Sequence, residues 1–203
     1  MFIIGLDLGQ SRDYTALCII EKLEDRIYHI RRLERTRGTP YPEAAARVKV
    51  IMQTLPGAAL VVDGTGVGAP VTDMFRQAGL KPTAIYIHGG DRVTHEGDTY
   101  RVPKRDLVGV LQVLLQNARL KIAPGPLSDL LINEMLNFKV TIDPVTSHDS
   151  YSAWREEDHD DLVLSVALAV WWGERRGEVT MLTLPTNPLR RTYDDVYRDF
   201  GEY

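Results

Sequence analysis

Carboxylates at three separated positions are the residues of this sequence that are best placed to do chemistry. Asp7 interrupts an apolar run near the start of the chain, Asp63 ends a second apolar run, and the pair Asp160 and Asp161 precedes a third. Burying an unpaired carboxylate costs several kcal/mol, so each of these side chains needs a partner inside the fold. A divalent cation is an efficient partner, and the pattern therefore predicts a metal site.

The predicted site would consist of oxygen ligands, which suit Mg²⁺ or Mn²⁺ with water and phosphate completing the coordination shell. Two such ions about 4 Å apart would clamp a scissile phosphate, one activating a water for in-line attack and the other stabilising the leaving oxygen. Asp7, lying between the two ions, is the natural bridging ligand. We therefore predict two divalent cations and hydrolysis of a phosphodiester bond.

Each carboxylate also has a simpler interpretation. Asp7 could be a hydrogen-bond acceptor at a strand end, and Asp63 could cap the turn formed by residues 64–66. The acidic residues 156–161 could do no more than meet the free N–H groups and the dipole at a helix N-terminus.

The spacing does not decide between the two adjacent aspartates. In a helix, Asp161 aligns with Ser165 and Asp160 aligns with Leu164. Both aspartates therefore stay candidate ligands.

Basic and histidine side chains supply further candidates. Lys104 stands beside Arg105 at the predicted start of a helix, where it could hold a phosphate, orient the attacking water or be an exposed cation. His95, His148 and His159 lack zinc-site spacing and are interpreted as surface or supporting residues.

Composition limits the class of protein. The chain has 203 residues, of which 44% are hydrophobic and 26% charged, as expected for one compact globular domain. Cys18 is the only cysteine, which excludes a disulfide framework and indicates a reducing, intracellular setting. No signal peptide and no membrane span are predicted.

The charge of the chain does not decide whether it binds nucleic acid. A formal net charge of −4 argues against a DNA partner, because neutralising phosphates needs Lys and Arg. However, a nuclease can gather carboxylates for its metals and still carry local basic surface. The Arg-rich residues 31–37 fit such a surface and fit a solvated strand end equally well.

The elements that must position these residues begin with an antiparallel meander, followed by a helix and a parallel βαβ unit. We expect strands at residues 3–8, 15–21, 26–33, 58–63 and 82–87, with helices at 42–52 and 68–78. The sheet is therefore predicted to be mixed.

The second half of the chain is predicted to be mainly helical. Residues 88–102 are expected to form a loop, and amphipathic helices are expected after Pro103 and over 127–137. A strand at 138–143 would open a hairpin-like excursion over 138–154. The last helix begins in the acidic run and is apolar nearly all round, so it should lie buried against the sheet.

Several motifs together resemble the nuclease domain of the large terminase subunit of tailed phages, over about residues 2–176. In order along the chain they are Gly5-Leu6-Asp7-Leu8-Gly9 with Asp13-Tyr14-Thr15-Ala16, Val61-Val62-Asp63-Gly64-Thr65-Gly66-Val67-Gly68, Val102-Pro103-Lys104, and His159-Asp160-Asp161 with Ser165-Val166-Ala167-Leu168-Ala169. The resemblance implies an RNase H-like fold, an α/β class with a mixed central sheet and helices on both faces. Residues 177–203 would form a C-terminal extension.

The resemblance also implies a function and partners. Asp7, Asp63 and Asp161 would be metal ligands with Asp160 as an additional acidic group, and the activity would be endonucleolytic cleavage of concatemeric viral double-stranded DNA. The excursion would regulate access of DNA to the site. The terminase ATPase domain, the portal and the small terminase subunit would be partners in the cytoplasm of the infected host. The sequence contains no phosphate-binding loop motif of the packaging ATPase.

Three alternatives remain open from the sequence. A Holliday-junction resolvase or transposase-like enzyme would share the fold and the carboxylates. An actin-like or sugar-kinase-like ATPase would bind phosphate with the turns Gly5-Leu6-Asp7-Leu8-Gly9 and Asp63-Gly64-Thr65-Gly66. Such a protein would need two subdomains and would leave Asp160 and Asp161 without a role. A non-catalytic DNA-binding domain would not need the complete set of carboxylates.

Overall fold

The computed structural model describes residues 1–9, 13–140 and 160–179. Its centre is an eight-stranded sheet with the strand order β6-β7-β5-β4-β1-β2-β3-β8. The strands are β1 Phe2–Asp7, β2 Tyr14–Lys22, β3 Tyr28–Arg37, β4 Ala59–Asp63, β5 Pro82–His88, β6 Thr94–Glu96, β7 Thr99–Pro103 and β8 Leu120–Ile122. The helices are α1 Tyr41–Thr54, α2 Gly68–Gln77, α3 Lys104–Gln116, α4 Ser128–Val140 and α5 Asp161–Val179.

The strand directions confirm the predicted mixed sheet. The first three strands form the antiparallel meander, while β4 lies parallel to β1 on its other side. Beyond β4, the strands β5 and β7 continue in the parallel direction, and β8 pairs in parallel with the outer side of β3. The strands β1 and β4 therefore lie at the centre of the sheet, where both faces are covered.

Helices cover both faces of the sheet, as predicted. The side of β1 that carries Ile3 packs with α3, α4 and α5, and we call it the α5 face. The opposite side, which carries Ile4 and Leu6, packs with α1 and α2. Successive side chains of a strand point to opposite faces. Odd-numbered residues of β1 therefore belong to the α5 face.

The last helix is the central element of the α5 face. Its residues from Leu162 to Trp172 are all buried, which confirms the predicted burial. The helix lies directly on β1, because a Cβ atom built on Gly5 would collide with the backbone carbonyl oxygen of Ser165 and touch the side chain of Ala169. Only a glycine at position 5 permits this close approach.

The segment 88–102 was expected to be a loop, and this expectation is wrong. It contains β6 and β7, which form an antiparallel hairpin, and β7 extends the parallel part of the sheet. The turn passes through Gly97 with φ +55°, a conformation that glycine adopts without strain. All three residues of β6 are exposed, so this edge strand has no apolar alternation that a sequence pattern would reveal.

The strand expected at 138–143 is wrong in its first part, because residues 138–140 continue α4. The rest of that strand and the remainder of the predicted excursion lie outside the described residues. The same holds for the start of the acidic run before Asp160 and for the chain beyond Val179. The short strand β8, which was not predicted, has only three residues.

Replacing Gly5 with alanine is expected to destabilise the fold by about 3 kcal/mol or more, because a buried backbone group must move to admit the methyl group. The measurement is the free energy of unfolding in guanidinium chloride. Gly109→Ala is the matched control, since a Cβ atom at Gly109 meets nothing within 4 Å. In the middle of α3 this change should stabilise the protein by about 0.5–1 kcal/mol. Equal effects of the two substitutions would contradict the close approach of α5 to β1.

The thiol of Cys18 is expected to resist alkylation in the folded protein. The residue is fully buried, its Sγ donates a hydrogen bond to the Ser165 carbonyl oxygen at 3.3 Å, and burial raises its pKa to about 12. The thiolate is the reactive form, so iodoacetamide at about pH 8 should modify Cys18 only after denaturation. Rapid modification of the native protein, measured by mass spectrometry, would show that α5 does not seal this part of the core.

Candidate metal centre

Asp7 and Asp63 lie next to each other at the carboxyl ends of two neighbouring parallel strands. The register of β1 and β4 pairs Leu6 with Val62, so the two aspartates follow on adjacent strands, which are spaced about 4.8 Å apart. Both side chains are buried, with 9% of Asp7 and 3% of Asp63 exposed. By the alternation of each strand, both belong to the α5 face.

The start of α5 lies at the same edge of the sheet. A Cβ atom on Gly173 would touch the side chain of Ile3, whereas Ser165 lies over Gly5. The helix therefore runs antiparallel to β1, and its first residue, Asp161, lies toward the carboxyl end of the strand. This direction brings all three predicted acidic positions to one edge of one face.

The two neighbouring aspartates at this helix end differ in their contacts. The backbone carbonyl oxygen of Asp160 accepts the N–H of Leu164 at 2.9 Å, so Asp160 is the residue that caps the helix. Asp161 lies on the same helix stripe as Ser165, which faces the sheet. Its Oδ2 atom accepts hydrogen bonds from Nη2 of Arg35 at 2.7 Å and from Nε at 3.2 Å.

Asp63 caps the turn that follows β4, as its simpler interpretation predicted. Its Oδ1 atom accepts the backbone N–H of Thr65 at 2.7 Å. The hydroxyl oxygen of Thr65 in turn accepts the N–H of Ile87 on β5 at 2.7 Å. These contacts fix the carboxylate relative to two strands of the sheet, which suits a ligand as well as a structural cap.

Glu134 of α4 is a buried acidic residue that the sequence analysis missed. Its Oε2 atom accepts the backbone N–H groups of Leu162 and Val163, both at 3.0 Å, and so satisfies the first turn of α5. Its Oε1 atom is buried without a hydrogen bond from the described residues and lies 3.9 Å from Nη2 of Arg35. Burial raises the pKa of Glu134 to about 7, against the opposing effects of the Val163 N–H and the Arg35 charge.

The side chains at this edge do not form a closed metal cage. Among the described residues, no three His, Cys, Asp or Glu side chains lie close enough to hold a metal ion. Asp161 is held by its ion pair with Arg35, which lies on β3, two strands away from Asp7. Asp63 is held by the turn that follows β4. The arrangement thus gathers the carboxylates at one edge and anchors Asp63 and Asp161 through separate contacts.

Lys104 begins α3 directly after β7 and lies at the same carboxyl edge of the sheet. It is half-buried. His95 is exposed on β6 and stacks on the ring of Tyr100, with 5.3 Å between the ring centroids, so it lies in the surface hairpin as expected. His148 and His159 lie outside the described residues.

The Arg-rich residues 31–37 are largely engaged in ion pairs. Arg31 pairs with Glu21 at 2.6 Å, and Arg32 pairs with Glu34 at 2.6 Å. Arg47 of α1 also binds Glu34. The exposed part of this stretch therefore fits a solvated strand edge better than an uncompensated basic surface. None of the described helices is long and apolar enough to cross a membrane.

The order of the strands and the position of the acidic edge define the class of protein. An antiparallel three-strand meander, parallel strands added beside β1, and helices on both faces make up the RNase H-like fold. The carboxyl ends of the central strands, where Asp7 and Asp63 lie, face the start of α5. The chain is thus a domain with the RNase H-like fold.

The chain belongs to the terminase RNase H-like domain family, whose sequence model matches residues 4–170. The terminase large subunit of Thermus virus P23-45 is 23% identical over 169 residues, which are 83% of this chain and 31% of that protein. The chain therefore spans about a third of the length of the curated relatives it matches. Membership in this family argues against the actin-like or sugar-kinase-like ATPase alternative.

Solved structures with a similar fold come from the large terminase nuclease of thermophilic phage G20c. The structure with bound cobalt has a TM-score of 0.62 and 24% identity, over 84% of this chain and 80% of that one. The structure with bound magnesium has a TM-score of 0.60 and 22% identity over the same shares. These likenesses confirm the predicted fold.

The raised pKa of Glu134 makes a testable prediction about stability. Between the ordinary value of 4.5 and about 7, the unfolded chain loses this proton while the folded protein keeps it, so folding becomes less favourable as pH rises through this window. Glu134→Gln cannot titrate. We therefore expect the free energy of unfolding of Glu134→Gln, minus that of the wild type, to increase by on the order of 2 kcal/mol from about pH 5 to pH 8.

The comparison is made by guanidinium unfolding in EDTA at several pH values. Glu21→Gln is the control, because Glu21 is a partly exposed carboxylate whose ion pair with Arg31 lies outside this cluster. A difference between Glu134→Gln and wild type that is the same at every pH would contradict the assignment.

Proposed function

We propose that this domain is a metal-dependent endonuclease that cleaves double-stranded viral DNA during genome packaging. The observation that carries the proposal is the position of Asp7 and Asp63 on adjacent parallel strands, with the start of α5 at the same edge. Carboxylates that are buried in this way need positive partners, and divalent cations would supply them. Membership in the terminase RNase H-like domain family supports this assignment.

The donor set fits divalent cations. Carboxylate oxygens are the ligands that Mg²⁺ and Mn²⁺ prefer, and buried aspartates with anchored oxygens are suited to hold them. The solved relative from phage G20c has been captured with magnesium and with cobalt, which supports divalent cations for this chain. When bound, two such cations would supply Lewis-acid activation of water and stabilisation of the leaving oxygen.

Each candidate residue would have its own role in the site, which follows from its position. Asp7 lies on β1 beside Asp63 on β4 and would be a ligand of the divalent cations. Asp63 would complete the site on the β4 side and Asp161 on the α5 side, with Asp160 as an additional acidic group. Lys104 stands at the same edge and would contact a phosphate or orient the attacking water.

The substrate would be concatemeric viral duplex DNA, cut in the cytoplasm of an infected host. No phosphate-binding loop motif occurs in this sequence. By similarity to terminase large subunits, a terminase ATPase domain would be a partner and would perform the ATP-driven step. The portal and the small terminase subunit would complete the packaging assembly. The similarity to terminase large subunits supports these assignments.

Metal-dependent cleavage is tested with supercoiled plasmid in the presence of Mn²⁺ or Mg²⁺. The wild type is expected to nick and linearise the plasmid, and EDTA should abolish the reaction. Asp7→Asn and Asp63→Asn should each lower the cleavage rate by about a hundredfold or more, because they remove a charged oxygen ligand. Comparing Asp160→Asn with Asp161→Asn then identifies the direct ligand, for which we expect Asp161.

Asp73→Asn is the matched control, since Asp73 is an exposed aspartate on α2 that pairs with Arg76. This variant should cut as fast as the wild type. A folded wild-type protein that cuts with neither metal, or an Asp7→Asn variant that cuts at the wild-type rate, would overturn the proposal.

A further inference from the structure

Arg35 lies in the same transverse row of the sheet as Asp7. The register pairs Asp7 with Ala16 on β2 and Ala16 with Arg35 on β3. Ala16 belongs to the core of the α5 face, and its cross-strand neighbours point to the same side. A cationic side chain from the meander therefore enters the face on which the acidic edge is assembled.

The guanidinium group of Arg35 is enclosed by three other elements. Only 10% of the side chain is exposed. The centroid of the Tyr14 ring on β2 lies 3.8 Å from the central carbon of the guanidinium group, a cation–π distance, and Asp161 of α5 forms an ion pair with the same group. Glu134 of α4 approaches to 3.9 Å. Such a side chain has little freedom to change its conformation.

The geometry of the ion pair uses one oxygen of Asp161 and not the other. Both nitrogen atoms of Arg35 that bind Asp161 donate to Oδ2. Oδ1 therefore lies outside the ion pair. A metal-binding carboxylate commonly has its second oxygen held by a hydrogen-bonding neighbour, which fixes the direction of the first.

Glu134 holds the same helix end through the backbone. Its Oε2 atom accepts the N–H groups of Leu162 and Val163, the two residues that follow Asp161. The first turn of α5 is thus tied to α4 by its main chain and to β3 by its side chain. Together the two contacts fix both the place and the orientation of the Asp161 carboxylate.

We propose that Arg35 is a positioning residue that orients the Asp161 carboxylate for metal binding, with Glu134 and Tyr14 holding the arrangement in place. The inference rests on the proposed function, in which Asp161 is a metal ligand. Arg35 acts through Asp161 and does not touch the metal or the substrate. It differs from a purely structural counterion, whose removal would lower the stability of the fold and leave the affinity for metal unchanged.

The chain contains a matched control for this ion pair. Arg31, on the same strand, also donates from Nε and Nη2 to a single carboxylate oxygen, Oε2 of Glu21, at 2.8 and 2.6 Å. That pair is more exposed, with 48% of the Arg31 side chain accessible, and it belongs to the opposite end of β2. Arg31→Gln therefore removes the same kind of contact away from the acidic edge.

The test measures Mn²⁺ binding by isothermal titration calorimetry without DNA, together with the metal dependence of plasmid cleavage. Arg35→Gln is expected to weaken Mn²⁺ binding about 10- to 100-fold. Arg35→Lys should lose several-fold, because a lysine keeps the charge but not the two-nitrogen geometry. Arg31→Gln should bind Mn²⁺ as the wild type does, and thermal melting in EDTA identifies which variants are folded.

A double-mutant cycle separates positioning from a general loss of structure. If Arg35 acts through Asp161, then adding Arg35→Gln to Asp161→Asn should not weaken Mn²⁺ binding further. An additional 10-fold loss in that background would overturn the inference. So would wild-type affinity in a folded Arg35→Gln or, where Arg35→Gln does not fold, in a folded Arg35→Lys.

The failure of the proposed function gives a different result. In that case the wild type itself would show no Mn²⁺ binding that depends on Asp7. The positioning role of Arg35 would then be overturned together with the proposed function. When wild-type binding is present and is lost in Asp7→Asn, the proposed function stands, and the Arg35 variants alone decide this inference.

Discussion

The contact between α5 and β1 is the constraint on which the other features of this domain depend. The Ser165 carbonyl oxygen occupies the space that a Cβ atom would need at Gly5, and the thiol of Cys18 donates a hydrogen bond to the same oxygen. This contact sets the height of the helix above the sheet. Because α5 runs antiparallel to β1, it also sets how far the start of the helix lies from Asp7. The packed core and the acidic edge are therefore two results of one close approach.

Most of the fold could be predicted because its central elements carry strong periodic signals. The strands β1, β2, β4 and β5 are apolar runs between turn residues, and the buried helix α5 is apolar nearly all round. The strands that were missed, β6, β7 and β8, lie at the edges of the sheet or next to an edge. There β6 is exposed at every residue and β8 has three residues, so tertiary pairing and not local pattern determines their conformation.

The acidic edge could be predicted in part. Asp7 and Asp63 end strands that are recognisable by their apolar residues. For Arg35, the sequence could not predict on which face of the sheet the side chain lies. A register shift pairs Ile19 with Arg32 and Ile20 with Ile30, so β3 changes phase, and simple alternation from Ile30 would put Arg35 on the wrong face. Glu134 did carry a signal, because it shares the buried stripe of α4 with Leu131 and Met135. A charged residue on an apolar stripe needs a partner that only the folded chain supplies.

The long-range nature of the α5 contact has a consequence for the order of events in folding. The hydrogen bond from Cys18 to Ser165 joins residues 147 positions apart, and the meander that contains Cys18 pairs through neighbouring segments. Contacts between distant segments carry a larger loop-closure cost and form later than local ones. On a ribosome, the strands that carry Asp7 and Asp63 emerge well before the helix that carries Asp161. The nascent chain therefore holds two carboxylates without the third, and the proposed centre is assembled only after synthesis has passed α5.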